Sequence, residues 1–122
     1  MGLDMYAYLT TRPLPRPVDF GHDEKDVEFH RWRKHPNLHG WMHELYRSKG
    51  GANPEFNLSP VALVGADIDR LEGVVLDSKL PETEGFFFGA SGGSEFGDDL
   101  LFIQKARAAV GAGYSIFYFA WW

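Results

Sequence analysis

Apolar residues recur along this chain at two spacings, every second position in some stretches and every third or fourth in others. "LDMYAYLTT" (3–11) alternates aromatic and β-prone residues and predicts a first strand. "RPLPRPVDFG" (12–21) is broken by prolines, which supply no backbone N–H, and predicts an extended loop. In "DVEFHRWRK" (26–34), Val27 and Phe29 alternate with Glu28 and His30, although Phe29, Trp32 and Arg33 would also share a helical face. Pro36 disfavours the helical region at His35, so this segment reads as extended. Beyond it, Leu38, Trp41, Met42 and Leu45 fall at i, i+3, i+4 and i+7, predicting a helix over 38–47 capped by Asn37 and ended by Gly50-Gly51. Ser59-Pro60 resembles a capped helix start, with Val61, Val64, Ile68, Leu71 and Val75 continuing at helical spacing to Leu76. "GFFFG" (85–89) predicts a short buried strand, and "ASGGSEFGDD" (90–99) a flexible loop. Asp98 and Asp99 open a third helix carrying Phe102, Ile103, Ala106 and Val110 inward, stopped by Gly111–Gly113. "YSIFYFAWW" (114–122) predicts a final strand with apolar residues on both faces, hence a central strand or one covered by a second subunit. Together these predict one α+β domain over 1–122, a mostly antiparallel sheet of about four strands packed with about three helices.

Composition narrows the function classes. At 122 residues, the chain supports one real core but no deep interdomain cleft. It has no cysteine, which excludes thiolate nucleophiles and Cys-ligated zinc and favours a reducing, cytoplasmic setting. No apolar run is long enough to span a bilayer, "MGLDMYAY" lacks the basic start of a signal peptide, and Tyr6 breaks the myristoylation pattern. The net charge of −5 disfavours nucleic acid and anionic membranes as partners. That charge is uneven, however: residues 29–49 carry Arg31, Arg33, Lys34, Arg47 and Lys49 against Glu44 alone, +4, leaving −9 for the remainder.

The candidate chemistry gathers in the same segment. Extended backbone would project Arg31 and Arg33 to one side of Trp32, and guanidinium forks with a nearby indole suit an anion attached to a planar ring. Lys34 and His35 continue the patch toward the N-terminus of the predicted helix, where unpaired N–H groups favour negative charge. His39 and His43, at i and i+4 with Tyr46 one turn on, predict a polar helix face apart from the apolar stripe. Such a histidine pair holds zinc only with a third ligand, and "HGWMH" is not the H-E-x-x-H pattern, so neither a metal nor another cofactor is expected. The glycine-rich loop lacks a Gly-Lys-Ser/Thr ending and is not read as a phosphate cradle, and no serine is assigned as a nucleophile. Pairing His30 or His39 with Asp98 as a general base has no support from spacing, so no catalytic residue is assigned. The predicted ligand-binding set is Arg31, Trp32, Arg33, Lys34, His35, His39, His43 and Tyr46.

"MGLDMYAY", "WRKHPNLHGWM", "LPETEGFFFG" and the Trp-ending last strand resemble, in that order and over nearly the whole chain, a small phage and prophage family whose members begin Met-Gly-Leu-Asp-Met-Tyr. The phosphoglycerate kinase label attached to some members does not suit a chain of this size without a nucleotide loop. The resemblance implies an accessory protein acting in the host cytoplasm, with a host defence system as the expected target.

Two functions of different class follow. One is a non-enzymatic binder of an anionic, nucleotide-like small molecule, such as a host signal that it would sequester. The alternative is an inhibitor that engages a host protein through the acidic residues Asp67, Asp69, Glu72, Asp77, Glu82 and Glu84. A small histidine-based hydrolase or transferase is a third reading, and a homo-oligomer is compatible with each.

Overall fold

Alternation in the first apolar stretch becomes strand β1, Asp4–Thr10, with Met5 and Ala7 buried on one face and Tyr6 and Tyr8 half-buried on the other. The computed structural model describes residues 2–85 and 88–122. Strand β2, Val27–Arg33, pairs antiparallel with β1, and a register shift opposite Ala7 and Tyr8 leaves Phe29 as an extra residue. That bulge turns Phe29 back to stack on Phe102, 5.9 Å between ring centroids, instead of presenting it to solvent. Helix α1 (Pro36–Ser48), strand β3 (Val61–Leu63), helix α2 (Gly65–Leu76), helix α3 (Phe96–Gly111) and strand β4 (Ser115–Trp121) follow. The sheet order is β2-β1-β4-β3 with every neighbouring pair antiparallel, the expected α+β arrangement.

Several boundaries differ from the expectation for physical reasons. Residues 61–63 form a strand along β4 rather than the first turn of a helix. All three are buried, Val61 and Leu63 toward the helices and Ala62 toward Phe20 and Phe117, and a continuous apolar run of that length carries no period to separate strand from helix. Helix α2 therefore begins after Val64, whose N–H donates to the Asp67 carboxylate at 2.9 Å. Helix α1 starts at Pro36, because a proline in the first turn loses no helical hydrogen bond. Asn37 is not its cap; the Asn37 Oδ1 accepts the Thr83 N–H at 3.0 Å. Gly50, at φ +91°, takes the left-handed conformation that ends α1. The strand expected over 85–89 falls on Phe86 and Phe87, outside the described residues, while Gly85 and Phe88 lie in irregular backbone.

The three helices pack on one sheet face, where Met5, Leu38, Met42, Ile68, Leu71 and Phe102 are shut from solvent. The long β1–β2 connection folds over the other face. There Phe20 meets Phe117 edge-on at 5.1 Å, and His22 meets Phe119 at 4.8 Å. A two-point ion pair from Arg12 to Asp26, at 2.9 and 3.0 Å, closes the connection on itself. The chain's own loop thus covers the second apolar face of β4. Among the described residues, no helix is long and apolar enough to cross a membrane.

Candidate functional site

Strand β2 has a side-chain period of two, and that period divides the predicted ligand set. Arg31 and Arg33 point to the outer face of the sheet and are exposed. Arg31 pairs with Glu28 at 3.1 Å and lies 5.0 Å over the ring of Tyr6; Arg33 pairs with Asp4 at 3.3 Å. Trp32 points the opposite way, 5% exposed, with its ring edge-on to Phe102 at 4.7 Å. The arrangement expected from the sequence, two guanidiniums beside a ligand stacked on Trp32, is therefore not formed, because adjacent residues of one strand point to opposite faces. Lys34 is exposed just beyond the strand, and its N–H donates to the Leu3 carbonyl at 2.8 Å.

His39, His43 and Tyr46 do not form a separate polar face. His39 and Tyr46 turn into the core with Leu38, Met42 and Leu45, while His43 is half-buried and Trp41 lies at the rim. Phe56 stacks on both imidazoles, at 5.1 Å from each. The His39 Nδ1 and the Tyr118 hydroxyl share a hydrogen bond of 2.7 Å. Burial, then the neighbouring His43, pushes the His39 imidazole down to about 3, so it is neutral across the physiological range. The Nε2 atoms of His39 and His43 are buried with no hydrogen-bond partner among the described residues, beside a groove of about 290 Å³ bounded by Glu55, Thr83, Phe88 and Trp122. Among the described residues, no group of three or more histidine and carboxylate side chains is placed to hold a metal. Tyr46 is committed to structure: its hydroxyl donates to Asp19 at 2.5 Å and accepts the Asn53 N–H at 2.8 Å.

His35 is the member of the predicted set that stands in a site. It occupies the turn between β2 and α1, 3% exposed, and Pro36 sets the direction of the helix leaving it. Its Nε2 lies 2.8 Å from Asp99 Oδ2 and its Nδ1 lies 2.7 Å from Ser91 Oγ. Asp99, in the first turn of α3 and 3% exposed, also accepts the Trp32 indole N–H on Oδ1 at 3.2 Å. With both carboxylate oxygens engaged, Asp99 is held as an acceptor, so His35 Nε2 carries the proton and Nδ1 is left to accept from the Ser91 hydroxyl. Ser91 Oγ accepts the Asn37 N–H at 3.0 Å, which places it at the N-terminal end of α1. Two stretches distant in sequence, 32–35 and 91–99, thus meet in one chain of hydrogen bonds, Trp32–Asp99–His35–Ser91, and the Ser91 end is half-buried.

That end opens into a cleft of about 190 Å³ between the first turns of α1 and α3. Asn37, Ser91, Gly92, Gly93 and Glu95 supply polar edges, and Val75, Leu80 and Phe96 an apolar floor. Glu95 folds back so that its carboxylate accepts the Gly92 N–H, at 2.6 and 3.0 Å to its two oxygens. A similar pairing stands beside the cleft, where His30 Nε2 lies 3.0 Å from Asp98 and its Nδ1 3.3 Å from Lys105 Nζ. From sequence, Ser91 falls in a flexible loop and Asp99 at a helix start, although Gly89-Ala90-Ser91-Gly92-Gly93 carries the letters G-x-S-x-G. No local spacing joins positions 35, 91 and 99, and only the crossing of α3 over β2 brings them together.

The acidic residues expected to face a host protein are partly committed as well. Asp67 is 2% exposed and binds Lys49 at 2.6 Å and Arg70. Burial raises its carboxyl, but hydrogen bonds from Lys49 and the Val64 N–H outweigh that and hold it below its usual range. Asp69 and Glu72 are clasped by Arg107 of α3, at 2.8 and 2.7 Å. The chain matches no family model, no curated protein and no solved structure.

Proposed function

We propose that this chain is a small-molecule-binding accessory protein whose ligand presents a compact polar group to the cleft between α1 and α3. The observation that carries the proposal is the Ser91–His35–Asp99 chain, which ends in that cleft with a hydroxyl held at 2.7 Å from an imidazole. A buried, fully satisfied polar network is costly to assemble unless each member is placed, and this one delivers its only half-exposed hydroxyl to a concave surface. The size of the cleft, about 190 Å³, lies below the range of about 300–1,000 Å³ usual for drug-sized ligands. It suits a small molecule or one end of a larger one.

Glu95 and Asp99 at its edge favour a neutral group over a dianion. The anionic, nucleotide-like class is the competing proposal; its support is that the first turns of two helices point here, and only one end of a nucleotide would fit. The setting implied by the sequence resemblance, a phage or prophage product acting in the host cytoplasm, belongs to the same proposal. Inhibition of a host protein through the acidic surface has less support, since Asp67, Asp69 and Glu72 already hold internal partners.

Native mass spectrometry of freshly purified protein, followed by a thermal-shift panel of nucleotides, small esters, amides and polyols, tests the proposal. A co-purified small molecule, or a stabilising panel member whose effect is lost on filling the cleft with Gly93→Trp, is the expected result. No stabilisation by any panel member at large excess, where a true ligand adds a few kcal/mol, would overturn it.

A further inference from the structure

The Ser91 hydroxyl is arranged for more than capping a helix. Resting on the reading of the cleft as a ligand site, we propose that Ser91 is a nucleophile and that the chain cleaves small carboxylic esters through an acyl-Ser91 intermediate. Three features place it in that role. His35 Nδ1, at 2.7 Å, is within proton-transfer reach of Oγ, and its ring is fixed by Asp99 at 2.8 Å on the opposite nitrogen. Asp99 is a positioning residue: its second oxygen is held by the Trp32 N–H at 3.2 Å, and its burial keeps water from loosening the imidazole. The Asn37 N–H, 3.0 Å from Oγ in the first turn of α1, supports negative charge as it develops on that oxygen. The ring is turned the other way from the usual serine triad, with Nδ1 rather than Nε2 facing the hydroxyl. Nδ1 is the nitrogen that accepts the proton, since Nε2 already carries the one held by Asp99.

In the step itself, Ser91 Oγ forms a bond to the acyl carbon as its proton passes to His35 Nδ1, and the carbonyl oxygen takes up the negative charge. Collapse of the tetrahedral adduct breaks the bond to the alkoxy group, which leaves as an alcohol carrying the proton from His35. Water then adds to the acyl-Ser91 carbon, again giving a proton to His35, and the acid departs as that proton returns to Oγ. Ester and water are consumed; acid and alcohol are formed. The N–H of the residue after a serine nucleophile commonly faces the oxyanion, and here that N–H belongs to Gly92 and is occupied by the Glu95 carboxylate at 2.6 Å. Glu95 is therefore the internal occupant that the substrate carbonyl must displace. The apolar floor of Val75, Leu80 and Phe96 suits a short acyl chain.

The test is covalent labelling of the wild-type chain with a fluorophosphonate and, separately, with p-nitrophenyl acetate, read by intact mass and peptide mapping. The expected result is one adduct per chain on Ser91, absent in Ser91→Ala and slowed at least about a hundredfold in His35→Gln. Asp99→Asn, with folding confirmed by circular dichroism, slows labelling without moving the adduct, whereas Glu95→Gln speeds it. A wild-type chain that takes no adduct, or takes it on another residue, overturns the proposal without recourse to any variant, as does equal labelling of folded His35→Gln. The ligand panel on Ser91→Ala separates the two readings. Stabilisation retained there alongside no wild-type adduct leaves a binding site without chemistry; no stabilisation of wild type removes the site itself.

Discussion

Strand β2 displays two chemistries on its two faces. Outward, Arg31 and Arg33 stand exposed, Arg31 paired with Glu28 three residues back on the same strand and Arg33 with Asp4 across the sheet. Inward, His30 and Trp32 are buried and hydrogen-bonded to adjacent carboxylates on α3. The outer face has the higher density of charge and the inner face the higher density of committed geometry. Exposed ion pairs gain little because water screens them and both partners stay mobile. A buried carboxylate with every oxygen satisfied orients its neighbours firmly, because in a poorly polarisable surround an unpaired charge is costly. Charge along a sequence is thus a weak guide to a site; the faces of the element that carries it decide which residues meet.

The largest expected contrast between the faces is in stability. Trp32→Ala, which empties space beside Phe102 and strips a donor from Asp99, costs about 3–5 kcal/mol in urea unfolding. Arg31→Ala leaves the midpoint close to wild type, and comparable losses from both would break the distinction. Next comes acidity. The folded-state value of His39 is depressed from 6.5 to about 3, so between those values the unfolded chain binds a proton that the folded chain refuses. Its contribution is present above the unfolded value and is lost as pH falls toward the folded one. Lowering pH from about 7 to about 5 therefore removes about 2 kcal/mol through His39 alone. His43, also depressed by burial and by Arg47, adds in the same direction. Urea midpoints across that range should fall for wild type and flatten in His39→Gln; a flat wild-type profile contradicts the buried, neutral imidazole.

A smaller effect is expected at the cleft. Ser91→Ala removes the oxygen that accepts the Asn37 N–H and should cost about 1 kcal/mol, the usual loss of a hydroxyl helix cap. The smallest belongs to the double charge reversal of Arg31 and Arg33 to glutamate, which should leave fragment binding at Ser91 unchanged and shift the thermal midpoint slightly. Loss of cleft binding in that variant would return the arginines to the site.

The α+β layout was legible because most elements have a period long enough to read. β1 alternates over most of its seven residues, β4 is a seven-residue run rich in apolar residues on both faces, and α1 carries a clear helical stripe. Val61–Leu63 fits a helix as well as a strand by sequence because three consecutive apolar residues suit either period, and their pairing with β4 is a long-range fact. By residue type His39 belongs to a polar helix face, whereas a Tyr118 hydrogen bond and stacked Phe56 make it a core residue. His35 was named for its place before the helix, but its partners lie more than fifty positions away, at Ser91 and Asp99. Convergence of that kind has no local signature.

The most direct measurement is a fragment screen followed by amide chemical-shift mapping on the wild-type chain. Binding in the cleft predicts that the best fragments move Asn37, Ser91, Gly92 and Gly93 together and leave Tyr6, Arg31 and Trp121 unmoved. Shifts confined to the outer face of the sheet, with the amides around Ser91 silent, would contradict it.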